Sequence, residues 1–314
     1  MSSPFPLLRL PRLVLFDVFK SLSIGEKIKL SFCSKKVSTQ INNARLYSQK
    51  VNVQLNCLRQ KISVYTENYK NSFEISIYSD SWRSHNSNTD QFSIACCTAR
   101  VISISKGVQI CWKNHQEGFL YVTQHLLKMF QCTISTKSHC YGSDFFHPTI
   151  SMLFDRQVEF KRLTICLNGS KDQSLFWNQI SSNFGLVEYF RIESVADPAF
   201  IPVFNSWPQK IYIIRSDWFT LESLLACTCT TITLWDSLLG TKDLDVILRK
   251  WKAGGFANLE WMKIQSRNIE NNETTILGMN LMELRGMVIQ TDDGSKKATI
   301  NTDYGRIEMS VISI

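Results

Sequence analysis

The chain has 314 residues, 44% of them apolar and 20% charged, with a formal net charge of +8. That length admits a small module joined to a larger body, and the apolar fraction supplies a sizeable core and excludes a disordered chain. The charge is uneven: residues 1–50 hold nine lysines and arginines against Asp17 and Glu26. The near-neutral remainder argues against a large nucleic-acid groove there.

The elements begin with three short helices. Leu10, Val14, Val18, Phe19 and Leu22 mark one apolar helix face, with Pro11 suited to the first turn, where a missing N–H costs nothing. Ser23-Ile24-Gly25-Glu26 has the form of a capping box and opens a second helix through Ile28, Leu30, Phe32 and Cys33. A third follows from about Ser34, with Val37 and Ile41 facing inward. Three helices in some forty residues make a marginal core that wants a partner.

From Val51 to about Ile110 the apolar period becomes two: Val51, Val53 and Leu55, then Ile62 and Val64, then Phe73, Ile75 and Ile77, and later Val101, Ile102 and Ile104. These are strands. The polar stretch Ser79–Asp90 is the clearest loop, and Leu120–Phe130 is helical. Beyond it, strand segments at Leu163–Leu167, Tyr189–Ile192, Ile211–Ile214, Ile232–Leu234 and Trp261–Ile264 alternate with helical patterns at Ser174–Phe184, Thr220–Ala226 and Lys242–Lys252. That spacing suits a parallel sheet, either a degenerate repeat-like horseshoe or a conventional α/β layer. Met282–Gln290, the Asp292-Asp293-Gly294 turn and Ala298–Asn301 predict a hairpin, and Arg306–Ile312 a third strand.

The longest unbroken apolar run near the start, Leu13–Phe16, is too short for the core of a secretion signal, and no stretch is long enough for a membrane span. An intracellular protein, cytoplasmic or nuclear, is therefore expected. The ten cysteines include no CxxC pair and are expected to be free, mostly buried thiols.

Phe5-Pro6-Leu7-Leu8-Arg9-Leu10-Pro11, with Val14, Val18, Phe19 and Leu22, resembles the start of an F-box. Ile28 to Lys36 resembles its second half, where a small residue or Cys precedes a basic pair. Val37 stands where many F-boxes place an aromatic, and the acidic stretch of the first helix is reduced to Asp17. Residues 160–303 resemble the F-box-associated domain type 2 of a family expanded in nematodes, through Phe176-Trp177-Asn178, Trp207 to Ile211, Leu259 to Ile264, Asp293-Gly294 and Ala298-Thr299-Ile300. The resemblance implies an α+β chain: a three-helix F-box over 4–46, then a substrate-recognition region over 51–314. That region is a mixed α/β, leucine-rich-repeat-like domain of mainly parallel strands ending in an antiparallel hairpin.

What the resemblance implies in function is a substrate-recruiting subunit of a Skp–cullin–F-box ubiquitin ligase. The F-box docks on the Skp-type adaptor, and through it on a cullin, while the body holds a protein substrate. Leu10, Pro11, Val14, Val18, Phe19, Leu22, Ile28, Leu30 and Cys33 are the expected adaptor anchors, each with the alternative of packing the module's own core. Trp218 and Trp235, at strand ends beside Asp217 and Asp236, are candidate substrate contacts.

No dinucleotide, P-loop, zincin or hydrolase motif occurs. Cys132, His139, Cys140 and His147 match no zinc spacing, so no cofactor, metal or catalytic residue is expected. Nucleic acid and membrane are not expected partners either, because the basic residues flank apolar anchors and no patch extends them. The alternative readings are a free-standing interaction module with a degenerate F-box, and a cysteine-dependent enzyme.

Overall fold

The computed structural model describes residues 7–44, 51–66, 72–81, 91–93, 99–136, 146–167, 171–195, 201–270 and 274–314. They form two compact units divided between Thr149 and Ile150. The expected start of the F-box at Phe5-Pro6 and most of the polar stretch 79–90 fall outside the described residues.

The first unit opens with a 3₁₀ turn at Leu7–Arg9 and helices α1 (Arg12–Ser21), α2 (Ile24–Cys33) and α3 (Lys35–Asn43). The capping box at Ser23 is formed: its hydroxyl accepts from the Glu26 N–H, and the Glu26 carboxylate accepts from the Ser23 N–H at 2.7 Å. Strands β1 (Val51–Asn56), β2 (Lys61–Thr66), β3 (Ser72–Ser79), β4 (Gln91–Ser93), β5 (Arg100–Ile104) and β6 (Gly107–Trp112) follow, then helix α4 (His115–Phe130) and strand β7 (Ile134–Thr136). Their order in the unit is β7-β1-β2-β3-β6-β5-β4. Strands β1 to β3 form an antiparallel meander, whereas β6 lies parallel to β3 and β7 parallel to β1.

The period-two pattern is realised residue by residue. Val53, Val64 and Phe73 pair in register, as do Leu55, Ile62 and Ile75, and all are buried. Helix α4 packs on β1, β3 and β6. The described residues between 51 and 149 belong to the same compact unit as the N-terminal helices. Contacts between elements distant in the chain hold them together. Gly25 of α2 meets the Phe73 ring of β3 so closely that a Cβ there would lie 2.5 Å from it, and α3 rests on α4.

The second unit is built from helix α5 (Phe146–Asp155, which starts before the division), β8 (Phe160–Leu167), α6 (Lys171–Ile180), β9 (Val187–Val195), β10 (Lys210–Ile213), α7 (Leu221–Ala226), β11 (Thr231–Ser237), α8 (Thr241–Lys252), β12 (Trp261–Ser266), β13 (Val288–Gln290), β14 (Lys296–Asp303) and β15 (Arg306–Ser313). Strands β8 to β12 run parallel in sequence order, as the strand–helix alternation predicts. Strand β15 is antiparallel to β12, then β14 and β13 complete the edge. One face is apolar and buried: Leu163, Phe190, Ile211, Ile232, Met262 and Met309 form one row across it. Trp177 and Phe184 stack against Phe190, and the Trp177 indole donates to the Val203 carbonyl at 2.7 Å.

One expectation fails. The hairpin's first strand starts at Val288, not Met282. Asn280 instead caps a turn by accepting from the Met282 and Glu283 N–H groups, and Leu281 and Leu284, three apart, are both buried. The Asp292-Asp293-Gly294 turn is formed, with Gly294 at φ 73° and its N–H bonded to Thr291.

Candidate functional site

Helix α1 is apolar on two sides. Leu15 and Phe19 point into the module, with Ile24, Ile28, Phe32, Val37 and Ile41 completing its core. On the other side Leu13 is 78% exposed and Val14 46%; Leu8 in the preceding 3₁₀ turn is 41% exposed. Leu10, Val18, Leu22 and Leu30 are half-buried, and Pro11 and Cys33 are exposed. Of the nine expected anchors, Phe19 and Ile28 are fully enclosed, so they belong to the core and support the face from behind. The other seven remain reachable to different degrees. Leu13, which is not on the predicted stripe, is the most exposed large apolar side chain among the module's described residues. Arg12, its guanidinium 5.2 Å from the Phe16 ring, borders this face.

The polar face of the second unit's sheet is the other constellation. Register places Arg162, Tyr189, Lys210, Thr231 and Trp261 in one row, and Arg191, Tyr212, Thr233, Lys263 and Glu308 in the next. The Arg162 guanidinium lies 5.0 Å from the centre of the Tyr189 ring, and Arg191 stands 5.0 Å from Tyr212. The Lys263 ammonium lies 4.9 Å from the Trp235 ring and 2.9 Å from the Glu308 carboxylate. Burial raises the Tyr189 phenol pKa, against the opposing pull of Arg162 and Arg191. The Arg191 Nε faces the Glu193 carboxylate at 3.3 Å, and the Trp235 indole N–H is buried without a hydrogen-bond acceptor.

The two tryptophans singled out by the sequence therefore separate. Trp235 is on the polar face. Trp218 packs with Phe204 and Phe219 and is nearly buried, so it is a core residue.

Three of the described thiols are held in the protonated form. Burial pushes Cys132 up to about 12. Cys229 is raised by its hydrogen bond to Cys227 and then by burial, and desolvation raises Cys33. Cys33, Cys111, Cys132, Cys227 and Cys229 are free thiols. His139 and Cys140 lie outside the described residues. Among the described residues no helix is long and apolar enough to cross a membrane.

Residues 7–49 match the family model of the F-box domain, and residues 203–264 match the model described as F-box associated. The first covers the three-helix module; the second covers β10, α7, β11, α8 and most of β12. Neither the curated proteins nor the solved structures gave a match.

Proposed function

We propose that this chain, which carries an F-box domain and C-terminal to it an F-box-associated domain, is the substrate-recruiting subunit of a Skp–cullin–F-box ubiquitin ligase. The observation that carries the reading is the second apolar side of α1. Leu13 and Val14 project from a module whose own core is already filled by Leu15, Phe19 and Ile28. Exposed apolar side chains grouped on one face mark an interaction surface, and basic residues around it steer an acidic partner. The partner is the Skp-type adaptor, which connects the chain to a cullin. The chain supplies no catalytic group of its own; it holds a protein substrate on the C-terminal unit, and other subunits transfer ubiquitin.

The test is reconstitution. Mixed with purified Skp-type adaptor and cullin, the full chain is expected to co-elute with both on size exclusion. Elution of the folded chain apart from the adaptor contradicts the reading and leaves a free-standing interaction module.

A further inference from the structure

We infer that the cavity between α2, α3 and α4 is a binding site for a small organic anion, one that carries a phosphate or carboxylate on a flat apolar body. Size is the first argument. The cavity has a volume of about 540 Å³ and is lined by these three helices of the first unit. Small-molecule sites are concave and of that order, whereas a protein partner covers far more surface than such a recess offers.

The wall selects the body of the ligand. Phe32, His125 and Tyr121 line the cavity in series. The ring centres of Phe32 and His125 are 5.2 Å apart, and those of His125 and Tyr121, which are stacked, 6.4 Å. Flat rings pack on such a wall edge-to-face or in offset stacks.

The polar lining selects the charge. Lys35 and Lys128 line the cavity and no aspartate or glutamate does; neither lysine has an acidic partner among the described residues. Their field reaches the wall: burial first, and then the charge of Lys128, lowers the His125 pKa, with no carboxylate raising it. Neutral donors are unspent as well. The Asn42 side-chain carbonyl accepts from the Gln131 amide at 3.1 Å, which leaves the Asn42 NH₂ unused. The Ser38 hydroxyl and the Gln124 amide make no hydrogen bond among the described residues. Cations and uncommitted donors around one recess suit an oxyanion, whose several oxygens accept from each. The same charges disfavour a metal ion.

The test is calorimetric titration of the full chain at neutral pH with naphthyl phosphate and, separately, with naphthoate. At least one is expected to bind saturably with a Kd below about 1 mM, and the tighter of the two identifies the anion as phosphate or carboxylate. Inorganic phosphate, which lacks the ring, and naphthylmethanol, which lacks the charge, should each bind at least about tenfold more weakly. Lys35→Gln/Lys128→Gln, at two exposed positions, should unfold like wild type and weaken probe binding at least about tenfold. Lys106→Gln/Lys113→Gln removes two exposed lysines of the same unit that do not line the cavity, and should leave binding unchanged. The inference is overturned if neither naphthyl anion saturates, or if the Lys35/Lys128 variant binds as wild type does. Equal loss in the Lys106/Lys113 variant overturns it too, as does inorganic phosphate or naphthylmethanol binding as tightly as the naphthyl anions. Adaptor binding enters none of these outcomes, so they stand apart from the ligase reading.

Discussion

The Nε2 of His125 lies 2.8 Å from the Ser31 hydroxyl, joining α4 to α2 and so the strand-bearing part of the first unit to its F-box helices. The Ser31 hydroxyl donates to the Ile28 carbonyl at 2.7 Å, so its one proton is committed and the imidazole is the donor. The donating nitrogen is Nε2, a role open to the neutral and the protonated ring alike. Burial, and then the charge of Lys128, pushes its pKa down to about 4.

A pH dependence follows. Between about pH 6.5 and 4 the unfolded chain binds a proton at His125 that the folded chain refuses. The contribution is full above pH 6.5, is lost as pH falls toward 4, and is on the order of 3 kcal/mol. Denaturant unfolding at pH 7 and pH 5 should show the first unit weakening, and His125→Gln should flatten the difference. An equal slope in the variant would assign the effect to other groups.

Gly25 brings α2 against the Phe73 ring of β3. A Cβ there would sit 2.5 Å from Phe73 Cδ2 and 2.9 Å from Cε2. Gly25→Ala is expected to destabilise the first unit by about 1–3 kcal/mol, the usual cost of overpacking. In a Phe73→Leu background the same change should cost less. Thermal unfolding of the four combinations checks this, and additive effects would show that the ring is not the obstacle.

How much of this was legible in the sequence depends on whether a feature is local. The Ser23–Glu26 capping box, the inward Val37 and Ile41, and the alternating Phe73, Ile75 and Ile77 are settled within a few residues, and all stand where their spacing puts them. The parallel order of β8 to β12 was readable because each strand is followed by a segment long enough to cross back, even though only some of these segments form long helices. Leu13 and Leu15 are not separable by spacing because both sides of α1 are apolar, and periodicity alone cannot say which side faces in. The grouping of residues 51–149 with the helices depends on Gly25 meeting Phe73 and Ser31 meeting His125, contacts between residues far apart in the chain. Trp235 and Trp218 look alike in sequence, each beside an aspartate at a strand end. The register of β11 sends Trp235 to the polar face, whereas Trp218 lies in the turn beyond β10 and packs into the Phe204–Phe219 cluster.

Lys263 and Glu308 form a sheltered cross-strand pair, with side chains 16% and 27% exposed and directly opposed in register. A double-mutant cycle with Lys263→Met and Glu308→Gln is expected to give a coupling of about 1 kcal/mol. The exposed Lys20–Asp17 pair, at 3.6 Å, should give a coupling near zero. Similar couplings for both pairs would mean that shelter within the sheet adds nothing.

The central claim is tested most directly by calorimetric titration of the full chain with a purified Skp-type adaptor, comparing wild type with Leu13→Asp/Val14→Asp. These side chains are outside the core, so the variant should unfold like wild type yet lose at least about a hundredfold in adaptor affinity, the loss expected of central apolar anchors. Leu175→Asp, on an exposed site of the second unit, should bind as wild type does. Folded wild-type chain that does not bind at micromolar concentration, or a Leu13/Val14 variant that binds undiminished, would contradict the account.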